Sequence, residues 1–195
     1  MTTFVLATAN PHKTREMRDI LTALGFDVRA RPENAPDVDE TSETLEGNAL
    51  LKAQALALLT GEPTLADDTG LFVDALDGRP GVYSARYAGS DASDADNVAK
   101  LLAELNDVPD AMRDARFRSV IAVAYPDGGS FTVEGLLEGS IARSPRGSEG
   151  FGYDPVFVPA GASGRTLAEL TPEQKNELSH RGRALRALAE KLTSE

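Results

Sequence analysis

The stretch TFVLATANPHKTREMRDILTALG, residues 3 to 25, constrains the fold more than any other, because an extended run passes into a helix with almost no linker. Phe4, Val5 and Leu6 form a short apolar run bounded by polar residues, the pattern of a buried strand ending near Thr8. Asn10 then supplies a helix N-cap and Pro11 suits the first helical position. Met17, Ile20, Leu21 and Leu24 recur on one helical face until Gly25 closes it. A strand and an amphipathic helix joined this tightly bury their apolar faces only in a layered α/β arrangement.

The alternation continues along the chain. VRARPENAPDVDET reads as a strand end and a long loop, and SETLEGNALLKAQALALLTG as a helix with an acidic first turn, ended by Gly61. PTLAD returns as a strand; TGLFVDAL fits either a strand or a short helix, and GRPGVYSARYAG a loop. Ser93 and Asp96 form a capping-box pair ahead of a helix whose buried face is Val98, Leu101, Leu102 and Leu105. RFRSVIAVAYP and SFTVEGLLEGSIA flank a DGG turn, which predicts an antiparallel hairpin. Thr171, Pro172 and Gln174 start a further helix, and Leu185, Leu188, Ala189 and Leu192 mark one face of the last. These elements predict an α/β fold, a mixed twisted sheet with flanking helices, over a single domain spanning residues 1–195.

Charge narrows the function. Thirty-one acidic residues against twenty basic give a net charge of −11 and argue against a nucleic-acid partner, so a polyanion must meet a local basic pocket. No run approaches the roughly 18 apolar residues that a membrane span needs. The N-terminus has no basic segment followed by a long apolar one, so the expected location is cytoplasmic, with no membrane partner. The absence of cysteine excludes disulfides, thiolate nucleophiles and Cys-ligated metal sites.

Four stretches carry chemistry. In TANPHK, Thr8, Asn10 and Lys13 cluster at a helix N-terminus, where unpaired N–H groups attract an anion such as phosphate; the alternative is an ordinary Asn cap beside a solvated lysine. In ADDTG, Asp67 and Asp68 put two like charges side by side. A magnesium ion bound by Asp68 and by Glu40 of the preceding loop relieves the repulsion; the alternative is a turn in which Asp67 caps Gly70. In GFGYD, glycines around Phe151 let a flat ring approach and stack, and Asp154 accepts from ring N–H groups; otherwise the stretch is a tight turn whose Phe151 fills the core. In EQKNELSHRG, Lys175, His180 and Arg181 donate to an exocyclic oxygen or a phosphate, or else form a solvated helix face capped by Gly182. Lys52 is a further candidate phosphate contact, and His12 reads as a surface residue.

Six pieces in this order, TANPHK, DET with EGNALLKA, ADDTGL, GRPGVYSARYAG, GFGYDPVF and LSHRG, resemble the inosine triphosphate pyrophosphatase family nearly end to end. These enzymes clear non-standard purine nucleotides from the nucleotide pool. The resemblance implies magnesium-dependent hydrolysis of ITP, dITP, XTP and dXTP to the monophosphate and pyrophosphate. It implies two lobes around a central substrate cleft and a homodimer. Thr8, Asn10, Lys13 and Lys52 match triphosphate positions; Glu40 and Asp68 match metal positions, with Asp68 also the catalytic base; Thr69 matches a substrate-binding hydroxyl. Phe151, Gly152, Tyr153, Asp154, Lys175, His180 and Arg181 match base-binding positions. Two departures stand out: Thr69 where many bacterial relatives carry serine, and Gly47 where others often carry a second acid. The rival readings are a pyrophosphatase of the related Maf type and a nucleotide-sensing module that binds without hydrolysis.

Overall fold

A computed structural model describes residues 3–194. The sheet order is β2-β1-β3-β5-β6-β7, with β4 paired to β3. The strands are β1 (Thr3–Leu6), β2 (Asp27–Arg29), β3 (Thr64–Val73), β4 (Pro80–Gly81), β5 (Asp114–Ala124), β6 (Ser130–Ile141) and β7 (Phe157–Pro159). β1 runs parallel to β2 and β3, whereas β3 with β4 and β6 with β7 are antiparallel, so the sheet is mixed, as the sequence predicts. Among the described residues, five α-helices accompany it: α1 (Pro11–Ala23), α2 (Leu45–Thr60), α3 (Asp94–Glu104), α4 (Pro172–Leu178) and α5 (His180–Thr193).

The chain divides into two compact units. The first comprises the chain through Asp68, Ser119–Gly135 and the chain from His180; the second comprises Thr69–Arg118 and Leu136–Ser179. Each has its own apolar core. In the first, Met17, Ile20 and Leu21 of α1 and Ala184, Leu185 and Leu188 of α5 pack with Phe4, Leu6, Leu65, Ile121 and Val123 from the strands. In the second, Val98, Leu101 and Leu105 meet Leu71, Val73, Phe117, Leu137, Tyr153, Val156 and Phe157. Each fully buried Leu or Phe in such a core contributes about 2 kcal/mol relative to exposure.

Local signals account for the helix ends. Asn10 Oδ1 accepts the His12 and Lys13 N–H groups, and Gly61, with φ of 68°, ends α2. Ser93 with Asp96 and Thr171 with Gln174 close as capping boxes. The stretch left open as strand or helix is both: β3 continues to Val73, and one 3₁₀ turn follows at Asp74–Leu76. Leu24 differs from expectation, since it is the C-cap of α1 and is 37% exposed. Gly182 is no helix cap but the third residue of α5, because the chain breaks at Ser179 between α4 and α5. Strand β7 and the two-residue β4 are too short to leave a periodic signature. Among the described residues, no helix is long and apolar enough to cross a membrane.

Candidate functional site

The first unit gathers charge around β3. Successive side chains of a strand point to opposite faces, so Asp67 and Asp68 leave β3 in different directions. Both are buried, at 2% and 6% exposure, and each meets its own cations. Lys13 Nζ lies 3.1 Å from Asp67 Oδ1, while Arg181 donates to Asp67 Oδ2 from Nη2 at 2.9 Å and from Nε at 3.2 Å. Arg181 Nη1 also bonds Glu16, a residue the sequence reading missed although it sits one turn beyond Lys13 on α1. Burial alone would raise the Asp67 pKa; Lys13, Arg181 and Lys52 outweigh it and hold the carboxyl well below its usual range.

Asp68 has the opposite character. Lys52 Nζ donates to Asp68 Oδ1 at 3.0 Å and to Glu40 Oε1 at 2.8 Å, which brings the two expected metal positions to either side of one ammonium. Burial pushes the Asp68 carboxyl up; Lys52 and Lys13 pull it down, Glu40 repels it, and it ends above its ordinary value. Burial would lower Lys52, yet Asp68, Asp67 and Glu40 raise it. Asp68 Oδ2 is buried and has no hydrogen-bond partner among the described residues.

These residues fit magnesium. Two carboxylate groups already accommodate a cation between them, and one buried oxygen of Asp68 still has coordinating capacity. Magnesium binds proteins through one or two carboxylates and takes its remaining ligands from water and substrate phosphates.

The loop that carries Glu40 is folded onto the start of α2. Ser42 N–H donates to the buried Asn48 Oδ1 at 2.9 Å, and Thr44 Oγ1 accepts the Gly47 N–H at 3.1 Å. A Cβ at Gly47 would lie 2.0 Å from Ser42 Oγ. This contact gives a physical reason for glycine at 47: a side chain there would push Ser42 away and loosen the segment that presents Glu40. Asn10 caps α1 through Oδ1, Thr8 Oγ1 accepts the Asn10 N–H at 3.2 Å, and the Lys13 side chain turns to Asp67.

The second unit holds the aromatic set. Phe151 stands between Gly150 and Gly152, whose φ angles of 77° and 61° lie in the region that favours glycine. Phe151 is half-buried and lies outside the core cluster, which decides against its filling the core. Its N–H donates to Asp154 Oδ2 at 2.9 Å, and Lys175 Nζ meets the same oxygen at 2.5 Å while lying 4.7 Å from the Phe151 ring centroid. Asp154 and Lys175 are both buried, so the pair is shielded from water. Tyr153 points the other way: its hydroxyl donates to Ser84 O at 2.9 Å, and burial pushes its phenol up. Ser84 in turn donates to Gly81 O and accepts the Leu71 N–H, a link the sequence reading did not anticipate. Thr69, half-buried, opens this unit on β3.

His180 and Arg181 belong to the first unit, at the start of α5, and are 3% and 1% exposed. Phe151, Gly152, Tyr153, Asp154 and Lys175 belong to the second. The matched sequence features extend over almost the whole chain, which matches the Ham1 family at residues 4–191. The chain belongs to that family. Among its relatives, a dITP/XTP pyrophosphatase of Geobacter sulfurreducens is 52% identical over 194 residues, covering 98% of this chain and 97% of the relative. One of Symbiobacterium thermophilum is 51% identical over 188 residues, covering 96% and 93%. A HAM1 protein structure from Coxiella burnetii superposes with a TM-score of 0.89 at 43% identity over 100% of both chains. A Mycobacterium abscessus structure described as a nucleoside-triphosphatase, dITP/XTP pyrophosphatase, gives 0.75 at 48% identity, covering 96% and 97%. Ham1 membership bears out the resemblance read from the six sequence pieces.

Proposed function

We propose that this Ham1 protein hydrolyses dITP and XTP, together with ITP and dXTP, to the monophosphate and pyrophosphate in a magnesium-dependent reaction. The names of the relatives support the activity, and one observation carries the mechanism: Asp68 is buried, has a raised pKa, and keeps one oxygen without a partner while Lys52 holds the other. A carboxylate whose basicity has been raised is suited to take a proton from the water that attacks the α-phosphorus. Glu40 and Asp68 would hold magnesium, which supplies charge neutralisation and polarises phosphate oxygens. Lys13 and Lys52, with Thr8, Asn10 and Thr69, bind the triphosphate and stabilise the charge that builds on it. Arg181 acts through Asp67, keeping it ionised so that Lys13 is held in place.

The base is read by the other set. Phe151 stacks on the purine, Lys175 donates to its 6-oxo group, and Asp154 accepts from ring N1–H. Adenine presents a 6-amino donor to a lysine donor and an unprotonated N1 to a carboxylate, leaving buried groups unpaired. Hydrolysis of XTP, dITP, GTP and ATP with magnesium or with EDTA tests the reading. The expected kcat/KM for XTP and dITP exceeds that for ATP by at least about 10²-fold, and EDTA abolishes turnover. A preference for ATP would overturn the base assignment, nucleoside diphosphate with phosphate as products would overturn the reaction, and binding without products would favour a sensing module. The homodimer implied by the resemblance and the cytoplasmic location expected from the sequence belong to the same proposal.

A further inference from the structure

Asp94 lies in the first turn of α3 but does not cap it, since Ser93 and Asp96 satisfy the helix start between them. Its Oδ2 instead accepts the backbone N–H of Gly152 at 2.7 Å, across 58 residues of sequence. The preceding N–H, that of Phe151, is held by Asp154. Two successive N–H groups beside the aromatic ring therefore each meet a carboxylate, on a backbone that left-handed glycines would otherwise leave loose. A ring can present a fixed face only if the backbone from which it projects is fixed. We propose that Asp94 is a positioning residue for the purine: by holding Gly152 N–H it sets the orientation of Phe151 and so lowers KM for base-bearing substrates, without entering the phosphoryl chemistry.

The proposal rests on the reading of Phe151 as the stacking surface, and the experiment separates the two. Steady-state kcat and KM for XTP and dITP, and the inhibition constant of inorganic tripolyphosphate, are measured on the full chain and on Asp94→Ala and Asp94→Asn. Losing a charge-assisted bond predicts KM raised about tenfold in Asp94→Ala with kcat within about twofold of wild type. Tripolyphosphate, which has no base, should inhibit both equally. Asparagine keeps an acceptor oxygen and discards the charge, so Asp94→Asn should restore KM to within about threefold. If Asp94 only favours the helix dipole, alanine and asparagine behave alike, because both remove the charge; equal KM values in the two variants, or an unchanged KM in Asp94→Ala, would overturn the proposal. A wild-type chain inert towards XTP and dITP would instead sink the functional reading, and the role of Asp94 with it.

Discussion

Asp68→Asn is expected to lower kcat on XTP by about 10³-fold, within the range that a positioned general base contributes. Asparagine preserves size and an acceptor for Lys52, so the local packing survives, but an amide does not take a proton at neutral pH. The stability side follows from the same site. Asp68 has its pKa raised in the fold, chiefly by burial, so its ionised form is held at a cost at neutral pH. A neutral amide avoids that cost, and Lys52 keeps Glu40 as a partner. The thermal midpoint of Asp68→Asn should therefore stay within about 3 °C of wild type or rise. Turnover retained within about tenfold would remove Asp68 from the chemistry, and a large drop in midpoint would show that the loss of activity is a folding defect.

The largest expected loss of stability belongs to Arg181→Met, at about 3–5 kcal/mol, the usual range for removing one member of a buried ion cluster. Methionine replaces much of the volume and none of the charge. Asp67 keeps Lys13 but loses the guanidinium that meets its other oxygen, and Glu16 loses its ion-pair partner on α5. The pH dependence has a definite sign. In the wild type the folded pKa of Asp67 is depressed, so its contribution is complete above the ordinary value of 3.8 and fades as pH falls below it. In Arg181→Met that depression shrinks, and protonation of Asp67 relieves a buried charge. Denaturant midpoints in metal-free buffer should differ most near pH 7, and the gap should narrow as pH falls below the ordinary carboxylate value of 3.8. Adding Asp67→Asn to Arg181→Met should recover part of the loss, because the two residues are coupled. A deficit below about 1 kcal/mol at pH 7 would mean that water replaces the guanidinium at little cost.

What could be read in the sequence was what neighbouring residues decide. The Asn10 cap, the Ser93 and Asp96 box and the start of α4 each involve groups within three or four residues, so spacing alone carries them. Glu40, Lys52 and Asp68 were singled out by residue type and order, and the structure joins all three. The engagement of Arg181 was not legible: its partner Asp67 is 114 residues away, and the meeting of α5 with β3 depends on sheet order, which local periodicity does not contain. The Tyr153 bond to Ser84, spanning 69 residues, escaped for the same reason. The adjacent aspartates lay between these cases. Strand alternation separates Asp67 from Asp68, but only the tertiary surroundings set their characters: Lys13 and Arg181 hold Asp67 well below its usual range, whereas burial, with Glu40, raises Asp68 against the pull of Lys52 and Lys13.

The two apolar clusters, one in each unit, share no residue. Amide exchange should therefore report two openings rather than one. A lesion at Arg181 would quicken deuterium uptake at Phe4, Leu65 and Ile121 while Phe117 and Phe157 remain slow, so a single melting temperature would understate how unevenly this enzyme loosens.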